Sequence, residues 1–135
     1  VIDLTTRYIK ILRPGIIQKN EIDKTLGFKI SNLIKNKQIK SPGLLKKHYS
    51  PGIPMKLNQK HADHSDAFIV IGKKYKNVIN TFNLSKKSNL KEAAKNLYKI
   101  FRKMKKLKYK KICVAKIPSK GVGVAINDRL KRASN

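Results

Sequence analysis

A chain of 135 residues is long enough for one domain with a core of its own and too short for a multi-domain assembly. Lysine and arginine outnumber aspartate and glutamate 33 to 7, a formal net charge of +26 that attracts polyanions whatever their sequence and makes nucleic acid a natural partner. Few of those bases are arginine, however, and Ile and Asn are also frequent, a balance that A/T-rich codon usage produces equally well.

The chain opens on Val1, a residue of strand type with no initiator methionine and no leading turn, as in a chain entered in mid-domain. Val1 to Leu4 and Tyr8 to Leu12 are β-branched and aromatic stretches parted by Thr5-Thr6-Arg7, which predicts two short strands and a tight turn. Pro14-Gly15 ends the second strand. Ile17, Ile22 and Leu26 then stand at helical spacings, predicting a short helix over Gln18 to Leu26 with Gly27 as its C-cap. From Ser31 to Pro54 a Lys-rich stretch is punctuated by Pro42, Gly43, Pro51, Gly52 and Pro54 and shows no sustained periodicity, so it reads as an ordered linker. It is longer than ordinary connections, a property of functional or disordered loops.

A second unit begins at Met55. Met55 to Leu57, Ala67 to Gly72 and Val78 to Leu84 have strand character, the middle one as a continuous apolar run suited to a sheet covered on both faces. Leu90 to Leu107 is the clearest helix: Leu90, Ala93, Ala94, Leu97, Tyr98, Phe101 and Met104 share one face and lysines fill the other. Asn89 followed by Glu92 has the form of a capping box with Asn in place of Ser or Thr. Lys111 to Ile117 is then a strand, Pro118 to Gly121 a turn, and Val122 to Ala133 a last helix with Val122, Ala125, Ile126, Leu130 and Ala133 inward. Strand, helix, strand, helix implies a parallel α/β layer with right-handed crossovers. At this size a single core gives little stability, so the unit is expected to lean on a neighbour.

Several chemistries are excluded by what is missing. No apolar run reaches a membrane-spanning length, and no signal peptide opens the chain. P-loop, GxSxG, HExxH and GxGxxG signatures are absent. Cys113 is the only cysteine, which rules out a disulfide framework and a thiolate zinc site and fits a reducing cytoplasm; its apolar strand setting suits core packing better than nucleophilic chemistry. Gly121-Val122-Gly123 precedes a helix, where an anion can bind, but with no third glycine a turn with close helix packing is the better reading. His61 and His64 beside Asp63 and Asp66 match no established metal spacing and read as a solvated loop. Aromatics among lysines can stack bases, yet Phe68, Tyr98 and Phe101 fall on apolar faces and read as core.

Two segments lack such a structural account. In Ile11-Leu12-Arg13-Pro14-Gly15 an arginine ends a strand before a rigid turn, a place suited to bidentate recognition of phosphate or carboxylate, though by itself more often that of a solvated arginine. In the segment from Ser41 to Pro51, prolines and a glycine stiffen both ends of a stretch presenting Lys46, Lys47, His48 and Tyr49, groups able to contact a triphosphate and a nucleoside. A stiffened loop loses less entropy when it closes on a ligand.

The order VIDLT, ILRPG, SPGxxxxHYxP and GVGVAINDRLKRAS closely resembles the threonylcarbamoyl-AMP synthases built from a YrdC-like catalytic domain, a linker and a small C-terminal domain, and these motifs span nearly the whole chain. The resemblance implies an α/β fold: residues 1–30 as the tail of the YrdC-like domain, 31–54 as the linker, and 55–135 as a Rossmann-like accessory domain. It implies a reaction in which threonine, bicarbonate and ATP give threonylcarbamoyl-adenylate and pyrophosphate, for threonylcarbamoyladenosine modification of tRNA. It implies nucleotide contacts at Arg13 and His48, with Lys47 and Tyr49 as further candidates, Mg²⁺ carried on the ATP phosphates, no protein-held metal, and no catalytic residue in this segment.

The family's threonine- and ATP-binding residues lie mainly upstream of VIDLT, so this segment alone is expected to be inactive, acting in the cytoplasm only with the rest of the enzyme. Two departures stand out: Phe101 to Lys105 replaces an LRELD-like run, and Met55 to Gly72 is short by a helix. The rival reading is a non-enzymatic basic RNA-binding module, including double-stranded RNA, carried by the charge and the interleaved aromatics.

Overall fold

The computed structural model describes residues 1–31, 50–75 and 78–134. Strands β1 (Ile2–Asp3) and β2 (Lys10–Ile11) pair antiparallel, with Ile2 opposite Ile11. Asp3 is buried because it folds the intervening turn: its Oδ1 accepts from the Thr5 backbone N–H at 3.0 Å and from the Thr5 hydroxyl at 2.6 Å. Helix α1 (Lys19–Leu26) starts where the Glu21 carboxylate accepts from the Gln18 backbone N–H at 2.7 Å. It stops at Gly27, whose φ of +76° a side chain would resist. Ile30 then returns into the interior, and a parallel bridge joins Lys10 to Ser31. The hairpin and short helix therefore form where the turn residues and spacings predict them, but none of α1's residues is buried.

The second unit is a parallel sheet of four strands, β3 (Met55–Lys56), β4 (Ala67–Val70), β5 (Thr81–Asn83) and β6 (Ile112–Val114), in the order β3-β6-β4-β5. Helices α2 (Leu90–Lys106) and α3 (Val122–Ala133) pack on each other and on one face of this sheet, where Ile69, Leu84, Leu97, Met104, Ile126 and Leu130 form the main core. Complete burial of a side chain such as Leu97 contributes about 2 kcal/mol. All of the inward residues expected on α3, Val122, Ala125, Ile126, Leu130 and Ala133, are buried. On α2, Ala93, Leu97, Phe101 and Met104 are buried, while Leu90, Ala94 and Tyr98 are half-buried at the rim.

Asn89 caps α2, its side-chain oxygen accepting from the backbone N–H groups of Lys91 and Glu92. The expected capping box is modified: the Glu92 carboxylate reaches the Asn89 N–H through the buried Ser85 hydroxyl, which donates to Glu92 at 2.6 Å and accepts from Asn89 at 3.0 Å.

The opposite face of the sheet carries Phe68, Val70, Cys113 and Ala115, covered by Ala62 and Tyr75 from connecting segments. No helix lies between β3 and β4, as the shortness of that stretch predicts, and among the described residues none lies between β4 and β5. The strand expected from Val78 is shorter because Asn80 adopts a left-handed conformation, so pairing begins at Thr81. Among the described residues no helix is long and apolar enough to cross a membrane.

Candidate functional site

Arg13 stands two residues past β2, half-buried, on a cleft of about 610 Å³. The hairpin contributes Ile2 and Ile11 to the wall, the region of α1 contributes Ile17 and Ile22, and α3 contributes Val124. The backbone at Arg13 is anchored on both sides: its N–H donates to the Val1 carbonyl at 3.4 Å and its carbonyl accepts from the Val1 amino group at 2.9 Å. Pro14 is held from the other unit, its carbonyl accepting from Arg129 Nη1 at 3.4 Å, while Arg129 also donates to Ala125 of its own helix at 2.8 Å.

The cleft end is electropositive. Partial burial holds the Val1 amino group below its ordinary pKa, and the guanidinium groups of Arg13 and Arg129 push it the same way. On α1, Asp23 accepts from the Ile30 N–H at 2.9 Å and pairs with Lys19 at 2.5 Å. Those contacts, the Ile30 hydrogen bond first, hold its carboxyl below the usual carboxylate range. Apolar walls with the Arg13 guanidinium at one end can take up a flat organic group bearing an anion.

Of the four expected nucleotide contacts, only Arg13 lies among the described residues; Lys47, His48 and Tyr49 lie outside them. Arg129 was not singled out by sequence, because a basic residue on the flank of an amphipathic helix carries the same signal as a solvated one. Its only advance sign is membership of the GVGVAINDRLKRAS stretch.

The other candidates resolve into structural roles. A Cβ at Gly123 would lie 1.9 Å from the Pro118 carbonyl oxygen, so this glycine is required for close packing of α3 on the preceding turn. Asp63 and Asp66 both pair with Lys111, at 3.2 and 2.5 Å, and His61 and His64 are exposed. Among the described residues no three of His, Cys, Asp and Glu converge on a point. Cys113 is buried in β6, and burial foremost raises its thiol pKa, so it stays protonated. Phe68 and Phe101 are buried, and Tyr98 packs edge-on against Phe101.

Comparison with known proteins converges on one family. The threonylcarbamoyl-AMP synthase of Pyrococcus abyssi (strain GE5 / Orsay) is 29% identical over 153 aligned residues, covering 99% of this chain and 44% of that protein. The crystal structure of P. abyssi Sua5 complexed with L-threonine superposes with a TM-score of 0.76 at 26% identity, covering 98% of this chain and 44% of that one. A variant of that protein with an adjacent histidine and tyrosine changed to alanine shares the fold, with a TM-score of 0.74 at 24% identity, and covers 98% of this chain and 43% of that one. The chain thus spans less than half the length of these relatives. Residues 17–135 match the threonylcarbamoyl-AMP synthase C-terminal domain, and the chain belongs to that family.

Proposed function

We propose that this chain supplies the nucleotide-phosphate arginine and the covering linker of a threonylcarbamoyl-AMP synthase, and that it works only when joined to or complemented by a YrdC-like catalytic domain. The observation that carries this reading is Arg13, anchored through its backbone at the exit of β2 and opening on an apolar cleft with a second guanidinium nearby.

In the proposed reaction, the amino group of threonine and bicarbonate condense to a carbamate with loss of water. A carbamate oxygen attacks the α-phosphorus of ATP, and pyrophosphate leaves with the electrons of the broken P–O bond. Charge grows on the phosphate oxygens as that bond breaks, and a fixed arginine already facing them needs no reorganisation. Arg13 has that role. Mg²⁺ would be carried on the ATP phosphates.

His48 and Tyr49 form the only His-Tyr pair of the sequence, and the same pair of residue types is the one altered in the solved variant of the relative. We assign His48, with Lys47 and Tyr49 beside it, to the segment that covers the nucleotide and keeps water from the labile adenylate. The P. abyssi protein was solved with L-threonine, which supports threonine as the substrate of the whole enzyme.

The test is pyrophosphate release from ATP, with threonine and bicarbonate present, by this chain with and without a YrdC-like half. Activity is expected only in the combination, and Arg13→Ala should lower kcat by about a hundredfold. Undiminished turnover by Arg13→Ala and His48→Ala variants would remove the proposal. A second reading has its own observation: Lys91, Lys95, Lys99 and Arg102 lie along the exposed face of α2. Salt-sensitive RNA binding that disappears with those residues, together with intact turnover in the Arg13 and His48 variants, would favour an RNA-binding module instead.

A further inference from the structure

In the order β3-β6-β4-β5 the continuations of two neighbouring strands diverge at one place in the sheet. After β3 the chain crosses to the face of Phe68 and Cys113, where Ala62 packs; after β6 it crosses to the opposite face and becomes α3. Adjacent parallel strands whose continuations leave to opposite faces open a crevice beyond their carboxyl ends, the place where open α/β sheets bind ligands. Such a crevice is present here, with a volume of about 610 Å³. It shares no lining residue with the Arg13 cleft.

Leu57, Val114 and Ile117 give this crevice an apolar floor, and its polar groups come from separate elements. Asn58 follows β3 in a left-handed conformation, which turns the chain so that the Gln59 N–H reaches the Val114 carbonyl at 2.8 Å. Asn127 of α3 is fixed by donating to the Ile117 carbonyl at 3.1 Å and to the Ser119 hydroxyl at 2.9 Å. Lys131 lies one turn further along the same stripe of α3, and Lys116 follows β6; both are exposed. Among the described residues the lining has no carboxylate, and the nearest acid on α3, Asp128, is paired with Arg132 at 3.1 Å. An apolar floor, a fixed amide and hydroxyl, and two lysines without an opposing acid fit a ring with an attached phosphate.

We propose that the crevice beyond β3 and β6 is a second ligand site, taking a small phosphorylated ligand of the nucleoside monophosphate class. It is independent of the role given to Arg13.

The test is an amide NMR titration of this chain with AMP, with adenosine, with inorganic phosphate and with a short RNA oligonucleotide. AMP is expected to shift Asn58, Lys116, Ser119 and Asn127, and adenosine and phosphate separately to shift them less. The Lys116→Glu, Lys131→Glu double variant should weaken the AMP binding read from the Asn58, Ser119 and Asn127 amides at least about tenfold, roughly 1.4 kcal/mol. Both lysines are exposed; if charge reversal still lowers Tm, the Lys→Gln pair replaces it with the same expectation. Shifts confined to the Arg13 cleft would overturn the second site while supporting the nucleotide role of that cleft. Shifts produced by RNA alone, no shifts at all, or a double variant that binds AMP as before would each overturn it.

Discussion

Arg129 Nη1 donates to the backbone carbonyl of Pro14 at 3.4 Å, a contact between residues 115 positions apart that ties the first unit to the second. Around it, Gly121 approaches Gln18, and Ile16 meets Ala125 and Ile126 across a small cavity beside α3. The second unit thereby backs the turn that carries Arg13.

Arg129→Ala should loosen that turn without melting the parallel sheet. A hydrogen bond of this kind is worth about 0.5–1.5 kcal/mol net, so the loss should appear as faster amide exchange at residues 10–13 with little change in the exchange of β4. Equal acceleration in both regions, or in neither, contradicts the arrangement.

Gly123→Ala places a methyl group against the Pro118 carbonyl, which must then move. Overpacking of this kind costs about 1–3 kcal/mol, to be read as a lower denaturant midpoint. Gly15→Ala, whose added Cβ would meet nothing within 4 Å, is the control and should fall near wild type.

The depressed pKa of Asp23 carries a definite sign. The group binds its proton more weakly folded than unfolded, so its contribution is fully present above the unfolded aspartate pKa and is lost as pH falls through the lower folded value. Acid should therefore loosen the attachment of Ile30 to α1. Asp23→Asn should remove that part of the pH dependence, measured by exchange of the Ile30 amide from neutral pH downward. A variant with the wild-type profile would rule the linkage out.

Lys111→Ala leaves Asp66, only 5% exposed, without its 2.5 Å cation beside the buried Cys113 thiol. Because Lys111 is itself partly open to water, solvent screening moderates the loss, which should appear as a lower Tm at neutral pH. In wild type the same pair raises the lysine pKa, Asp66 first, so its contribution is present below the unfolded lysine pKa and fades as pH rises through the folded one. Thermal melts of both proteins should therefore converge at high alkaline pH, and a constant gap would reject this account.

How far the fold was legible follows from what each pattern encodes. On α2 and α3 the apolar residues fall every three or four positions between lysines, so the buried faces could be named residue by residue. On α1 the same spacing predicted the helix but not its cover: Ile17 and Leu26 remain exposed, because periodicity records a face and not what lies against it. The insertion of β6 between β3 and β4 depends on pairings between residues far apart in sequence, which no local pattern records. The position of Arg13 just past β2 was legible because Pro14-Gly15 marks a strand's exit. Arg129, Asn58 and Asn127 were not, because each acquires its setting only when distant elements meet.

The edge position of β3 bears on the route by which the sheet assembles. Its two residues pair with Ile112 and Cys113, 57 positions away in register, while β4 and β5 are joined by a short connection. Closing the longer loop costs more chain entropy, so β4–β5 contacts should form first and β3 should zip on last. In pulse-labelled refolding, the Leu84 amide, bonded to Val70, should become protected before the Ile112 amide, bonded to Pro54, and the reverse order would exclude this sequence of events.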